Sequence, residues 1–396
     1  GVNEFAVRFP SALLGSLAIL LLYFVVKFVS GNRRLAFLSA LFLAINPWHI
    51  LFSRAAFETN AALTFVILGV LLFLVSTKSK KWFYLFLSLL AFALALYSYN
   101  VTRLLSPVLF AGLVWINWKI VKSIPKKILF SLGVFLFILL APFLITFFSS
   151  AGASSAHGAL LTSTDIQAKN IAMRSYLADS VFGSLLGKVF FSKYVFLFWQ
   201  YLQNIAGVFS VNFFFVSGSP HGSQGTGIGQ MYLLQLPLFI LGIVSLFIYK
   251  LRKLSFFVLW AIITVLVLSL SKEVPHATRG YFLVIPLTIF SALGFLSLID
   301  WLKHIKNIRV RVLLLVVVAG FCLYNVVYYF TSFYFRFPTE YAKSWRQQDK
   351  SLSLYLKENE AKYDKIIIDT KAGFMYTSLV FFTAYSPEAF QQTVQR

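Results

Sequence analysis

Long apolar runs recur along the chain, separated by short polar pieces, near residues 11–29, 60–77, 82–99, 126–148, 231–249, 254–271, 281–300 and 310–331. Coiled as a helix, each reaches across about 30 Å of hydrocarbon, which takes about 17–25 residues. Two shorter runs, 35–50 and 103–118, raise the expected number of membrane helices to about ten. Between 149 and 230 the pattern breaks: Ser/Thr/Gly-rich stretches give way to an aromatic run from Val189 to Phe215, read as a long, partly helical loop lying against the membrane. After Arg336 the composition is that of an ordinary soluble protein, with a helical pattern near 341–359 and a β-branched stretch, Asp364 to Thr370. The expected fold class is therefore an α-helical polytopic membrane protein. It divides into a membrane domain over 1–335, with its long loop at 149–230, and a small α/β tail over 336–396.

Composition supports the membrane reading. The 396 residues are 59% hydrophobic and only 12% charged, against about 25% charged in soluble domains. A net charge of +22 would point to nucleic acid in a soluble protein. Here the tail holds nine basic and seven acidic residues, which leaves 26 basic against six acidic residues in the membrane part. The excess is a membrane-topology signal, and no nucleic-acid partner is implied.

That excess is also one-sided. Arg33, Arg34, Lys78, Lys80, Lys81, Lys119, Lys122, Lys126, Lys127, Lys250, Arg252, Lys253, Lys303, Lys306, Arg309 and Arg311 fall in alternate loops, while the opposite short loops carry only Arg8, Arg54, Arg103, Lys272 and Arg279. By the positive-inside rule the first set faces the cytoplasm. Gly1, the 149–230 loop and the tail then face outward. Because the chain opens outside, without an initiator methionine or signal peptide, it reads as a fragment with at least one helix upstream. The single cysteine, Cys322, leaves no intramolecular disulfide.

Chemistry is expected where spans meet the outer surface. None of the membrane part's six acidic residues lies in mid-span, although ion-coupled transporters generally bind their ion near the midplane. Polar groups gather instead at Glu4 and Arg8; at His49, Arg54 and Glu58; at Tyr97, Tyr99, Asn100 and Arg103; and at Glu273, His276 and Arg279. Such a belt suits an amphiphile with a charged head at the interface and a tail in lipid. A lipid phosphate fits best, since the planar fork of arginine pairs bidentately with phosphate oxygens. Arg8, Arg54, Arg103 and Arg279 are the expected phosphate ligands, and Glu4, Glu58, Tyr99 and His276 the expected sugar- or acceptor-orienting groups.

Each has a plainer reading. Arg8 sits where an arginine snorkels at a helix start, Arg54 and Glu58 have the spacing of a surface helix pair, and Tyr99 suits an interfacial aromatic belt. His157, His221 and His304 read as solvated, and 217–229 as a flexible glycine-rich linker, because no strand precedes it to make a phosphate loop. No metal-ligand spacing such as HExxH or CxxC occurs. A divalent metal ion held by carboxylates from separate loops stays open as the one cofactor option.

The order of these features resembles the C-type (GT-C) polyprenyl-phosphate-sugar glycosyltransferases, in particular the protein O-mannosyltransferase and lipid A aminoarabinose transferase group. The resemblance is carried by Asn3 to Gly15, by Asn46-Pro47-Trp48-His49 with Ser53-Arg54 and Glu58, by Tyr97-Ser98-Tyr99 with Arg103, by Pro275 to Arg279, and by Asp364 to Thr370 with Tyr385-Ser386-Pro387. It implies an integral membrane enzyme with an extracytoplasmic active face. Such an enzyme moves a sugar from a polyprenyl-phosphate donor to a protein, lipid or glycan acceptor, usually with inversion. It also implies a catalytic aspartate in the first outer loop, ahead of the Arg8 segment and so upstream of Gly1. On that expectation this chain binds donor without catalysing. The competing classes are a lipid-linked glycan flippase or transporter, which needs a polar path through the bilayer, and a non-catalytic binder of lipid-linked glycan.

Overall fold

A computed structural model of the chain describes residues 3–147, 161, 193–368 and 375–394. The described part is a helical bundle. Its membrane helices are α1 (Glu4–Ser30), α2 (Arg33–Ala44), α3 (Pro47–Arg54), α4 (Glu58–Ser79), α5 (Phe83–Ser98), α6 (Thr102–Ile116) and α7 (Lys126–Phe147), then α9 (Gln235–Ile248), α10 (Ser255–Leu268), α11 (Val284–Lys303) and α12 (Ile308–Thr331). Between α7 and α9 lies α8 (Lys193–Val208), and the tail carries α13 (Gln347–Asn359), α14 (Met375–Phe382) and α15 (Pro387–Val394).

Local chemistry sets the boundaries. Asn3, Asn32 and Asn307 cap α1, α2 and α12 by accepting backbone N–H groups of the first turn. Gly31, at φ 73°, ends α1 in the left-handed conformation that a side chain disfavours. The run expected as one span over 35–50 is broken at Asn46-Pro47, so that α2 and α3 meet at a bend of 57°. Proline cannot donate to the preceding turn and pushes its predecessor toward extended backbone. Asn46 is extended, at φ −69° and ψ 129°, and restarts the helix by accepting from the His49 N–H.

Among the described residues five helices are long and apolar enough to cross a membrane, and the bent pair makes a sixth candidate. The other expected spans are shorter than their apolar runs. α5 and α6 have 16 and 15 residues, α9 and α10 have 14 each, or about 21–24 Å of rise. Polar contacts mark two of the ends. Tyr232 N–H donates to Gln235 Oε1 where α9 starts, and Asn204 of α8 donates to the carbonyls of Ser269 and Ser271 just after α10.

The interior is built from α1, α4, α5, α10 and α11, around buried Leu22, Trp48, Phe52, Leu63, Trp260 and Tyr281. α7 and α12 lie at the periphery and expose Phe137, Ile145, Leu313, Val316 and Leu323, as lipid-facing helices do. α8 shows Tyr194, Phe198 and Trp199 outward while Tyr201 and Asn204 bond back to α10 and the loop after it.

The tail departs from expectation. Its β-branched stretch forms no strand over 364–368, and 369–374 lie outside the described residues. An isolated strand has no neighbour to take its N–H and C=O groups; among the described residues the tail is helical. The first part of the long loop, with His157, also lies outside the described residues.

Candidate functional site

One end of the bundle gathers the starts of α1, α4, α6 and α11, the end of α3, the 269–276 loop and the tail. A buried polar network fixes that end. His49 Nδ1 lies 2.5 Å from the Tyr281 hydroxyl and His49 Nε2 3.1 Å from the Gly15 carbonyl. Tyr281 donates to Asn60 Oδ1 at 3.3 Å, and Asn60 Nδ2 donates to the backbone carbonyl and the hydroxyl oxygen of Ser11 at 2.8 and 3.0 Å. Four segments are thus tied together through three buried side chains. His49, part of the Asn-Pro-Trp-His motif, acts here as a positioning group.

Above this latch lie two adjoining spaces. The outer one, about 330 Å³, is lined by Glu4, Arg8 and Arg54 from the membrane helices and by Tyr341, Trp345, Arg346 and Lys350 from the tail. The second, about 420 Å³, is an open groove along α1 walled by Phe5, Phe9, Ala12, Ile19 and Ile50, with His49 and Ser53 on its far side. Arg8 and Arg54 line both. They stand where a chamber that carries most of the charged groups, on a wall that also includes Leu51, Phe337 and Phe382, meets a more apolar trough. Arg54 also lies over the Phe333 ring at 4.9 Å, a cation–π contact that holds its guanidinium in place.

Glu4, although exposed, is paired: both its carboxylate oxygens lie 3.2 Å from Lys350 Nζ. Sequence reasoning missed the tail's share of this chamber. Arg346 is set by a buried carboxylate: its Nε lies 2.7 Å from Asp349 Oδ2, which also accepts from Ser378 at 2.9 Å. The signal available was an arginine three residues before an aspartate in a helical pattern, a spacing too common to single out.

The remaining expected residues form a second group. Tyr99, Thr278, Arg279 and Glu58 are neighbours. Burial raises the Tyr99 phenol above its usual range, the Thr278 hydrogen bond and the Arg279 charge oppose this, and Glu58 adds to it. His276 is buried, with its Nδ1 3.0 Å from Thr278 Oγ1. Desolvation, with Arg279 and His221 nearby, lowers its pKa to about 4, so it is neutral at physiological pH. Arg279 Nη1 and Arg103 Nε are buried without hydrogen-bond partners. Arg103 lies over Phe143 at 5.6 Å. Neither Arg103 nor Arg279 lines the two spaces above. The four arginines expected around one phosphate therefore divide, with Arg8 and Arg54 together and the other two apart.

The His221 side chain is partly exposed, in keeping with the solvated reading, but the expectation of a flexible linker around it does not hold. Its segment is packed: a Cβ on Gly222 would strike Tyr341 and Ser344, and one on Gly229 would strike the backbone of Phe214 and Phe215. The imidazole Nε2 lies 3.8 Å from Glu273 Oε2, which is 3.9 Å from His276 Nε2.

Searches of curated proteins and of solved structures gave no match to the chain. The family model of the dolichyl-phosphate-mannose-protein mannosyltransferases matches residues 1–146, the stretch that holds Arg8, Arg54 and Arg103. Over that stretch, with its apolar membrane helices, the GT-C glycosyltransferase resemblance carried by Asn3 to Gly15, Asn46 to His49 and Tyr97 to Arg103 holds.

Proposed function

We propose that the protein works as an integral membrane glycosyltransferase that takes a sugar from a polyprenyl-phosphate donor and passes it to an acceptor on the extracytoplasmic side. One observation carries the donor assignment: Arg8 and Arg54 sit at the junction of a chamber bearing several charged side chains and an apolar groove. A lipid phosphate has that same division between an anionic head and a hydrocarbon tail. The prenyl chain lies along α1 past Phe9, Ala12 and Ile19, the phosphate rests on the two guanidinium groups, and the sugar projects toward Tyr341, Trp345 and Arg346. In transfer the bond between the anomeric carbon and the phosphate oxygen breaks as the acceptor oxygen bonds to that carbon. The arginines take up the charge left on the departing phosphate, and the acceptor's proton goes to a general base. The resemblance puts that base on an aspartate in a loop ahead of the Arg8 segment. The matched family's name gives dolichyl-phosphate mannose as donor and protein as acceptor, so mannose is the first sugar to try.

Binding tests this independently of turnover. In lipid nanodiscs the chain is expected to bind polyprenyl phosphate well and the uncharged polyprenol at least tenfold more weakly. Arg8→Ala and Arg54→Ala should each lower phosphate affinity by about 10- to 100-fold, since a charge-assisted hydrogen bond contributes about 1.5–3 kcal/mol. Equal affinity for phosphate and alcohol, or unchanged affinity in both variants, would overturn the assignment.

A further inference from the structure

Away from the Arg8–Arg54 junction, the 269–276 loop and the glycine-rich 217–229 segment meet at three side chains whose donor atoms all lie within 4.8 Å of one another: His221, Glu273 and His276. We propose that these three residues bind one zinc-class divalent ion, which clips the two outer segments together. The inference stands on this geometry and does not depend on the glycosyltransferase reading.

Three features support it. First, the donor atoms converge: both imidazole Nε2 atoms flank the same oxygen of Glu273, at 3.8 and 3.9 Å. Ligands on a tetrahedral zinc, about 2.0–2.1 Å from the metal, lie roughly 3.3 Å apart, so small movements of the two partly exposed side chains, Glu273 and His221, toward the buried His276 close the set. Second, the buried histidine is oriented for the task. In the tautomer that gives its Nδ1–H to Thr278 Oγ1, 3.0 Å away, His276 leaves the lone pair of Nε2 on the side of Glu273. An outer hydrogen bond that fixes the tautomer in this way accompanies most metal-binding histidines. Third, both segments have fixed paths. Asn204 anchors Ser269 and Ser271. The His221 turn is closed by Gln224 N–H donating to the His221 carbonyl at 2.8 Å, and it packs on Tyr341 through Gly222.

Two nitrogens and one oxygen select zinc, cobalt or nickel over magnesium or calcium, which want oxygen ligands in larger number. Glu273 and His221 are partly exposed, so the fourth position faces water. Tyr341 touches the His221 segment and lines the outer chamber. A metal at this point would therefore stiffen one wall of that chamber.

The test uses the full chain in detergent, purified without a histidine tag, stripped with chelator and titrated with zinc chloride against a fluorescent zinc indicator. One tight site per chain is expected in the unaltered protein. His221→Ala and Glu273→Gln, both at exposed positions, should each weaken it at least about 30-fold. Cobalt in place of zinc should give the intense visible bands of four-coordinate geometry, absent in His221→Ala. Zinc should also raise the thermal midpoint of the unaltered protein but not of His221→Ala. No tight binding in the unaltered protein, or the same titration curve in the double variant His221→Ala/Glu273→Gln, would overturn the proposal.

Discussion

Gly294→Val is expected to prevent the bundle from assembling stably, while Gly320→Ala should be harmless or slightly favourable. The crossing of α9 and α11 explains the difference. A Cβ on Gly242 would run into the Phe290 carbonyl, and one on Gly294 into the Leu238 carbonyl. The opposing atoms are backbone and cannot swing aside. Inside a bilayer, lipid tails are as apolar as leucine, so close packing takes over the role that the hydrophobic effect plays in water. Alanine at either glycine should cost about 1–3 kcal/mol by overpacking, and valine more. Gly133 in α7 and Gly320 in α12 have open space where a Cβ would go. There alanine should recover about 0.5–1 kcal/mol of helix propensity. Thermal unfolding in a mild detergent separates the cases, and a similar fall in midpoint for Gly294→Ala and Gly320→Ala would show that the crossing is not as tight as drawn.

Hydropathy made the helices legible because a membrane span must satisfy every backbone group within itself, and only a long apolar helix does so. It overstated their length. The run at 82–99 ends as helix at Ser98, and the run at 254–271 ends at Leu268. Thr102, just beyond the helix, caps the first end and Asn204, distant in sequence, meets the second, and apolar periodicity carries no record of either. The break at Asn46-Pro47 was visible as a proline, yet the packing of Trp48 on Phe213, Phe214 and Tyr281 beyond the 57° bend was not.

The site was legible to the same degree. Arg8 and Arg54 were readable as cations at the outer ends of spans, and the structure brings them to one junction. Arg346, Lys350 and His221 were not. Each lies in a segment with no local signature: Lys350 meets Glu4 and His221 meets Glu273 across more than 50 residues of chain, and Arg346, held locally by Asp349, enters the chamber that Arg8 also lines. The tail's missing strand has a related cause. β-branched composition describes a surface that fits a sheet, and among the described residues no sheet is there to receive it.

Asn60→Leu is expected to lower both stability and donor binding, though Asn60 lines neither space beside the Arg8–Arg54 junction. Its amide donates twice to Ser11 of α1 and its carbonyl oxygen accepts from Tyr281, whose hydroxyl also meets His49 of α3. Leucine keeps the branched shape, is somewhat bulkier, and removes all three of these bonds together with a long one from the Ser53 hydroxyl. The Ser11 carbonyl and the Tyr281 hydroxyl then each lose a partner in a dry interior, at about 1–3 kcal/mol for each group left unsatisfied. Single interhelical bonds in membranes contribute less, averaging about 0.6 kcal/mol, so a total of about 2–4 kcal/mol is expected. Thr64→Val is the comparison. It removes one interhelical bond, to the Leu14 carbonyl, and should cost about 1 kcal/mol or less. The effect on binding follows from which elements the network joins. α1 carries Arg8, α3 carries Arg54, and Gly15 lets the two approach so closely that a Cβ there would overlap the Ser53 side chain. If Asn60 sets that spacing, Asn60→Leu should weaken polyprenyl-phosphate binding about tenfold even at temperatures where the variant is fully folded. Thr64→Val should bind normally. A folded Asn60→Leu protein with unaltered affinity would show that the arginine pair is positioned by α1 and α3 alone.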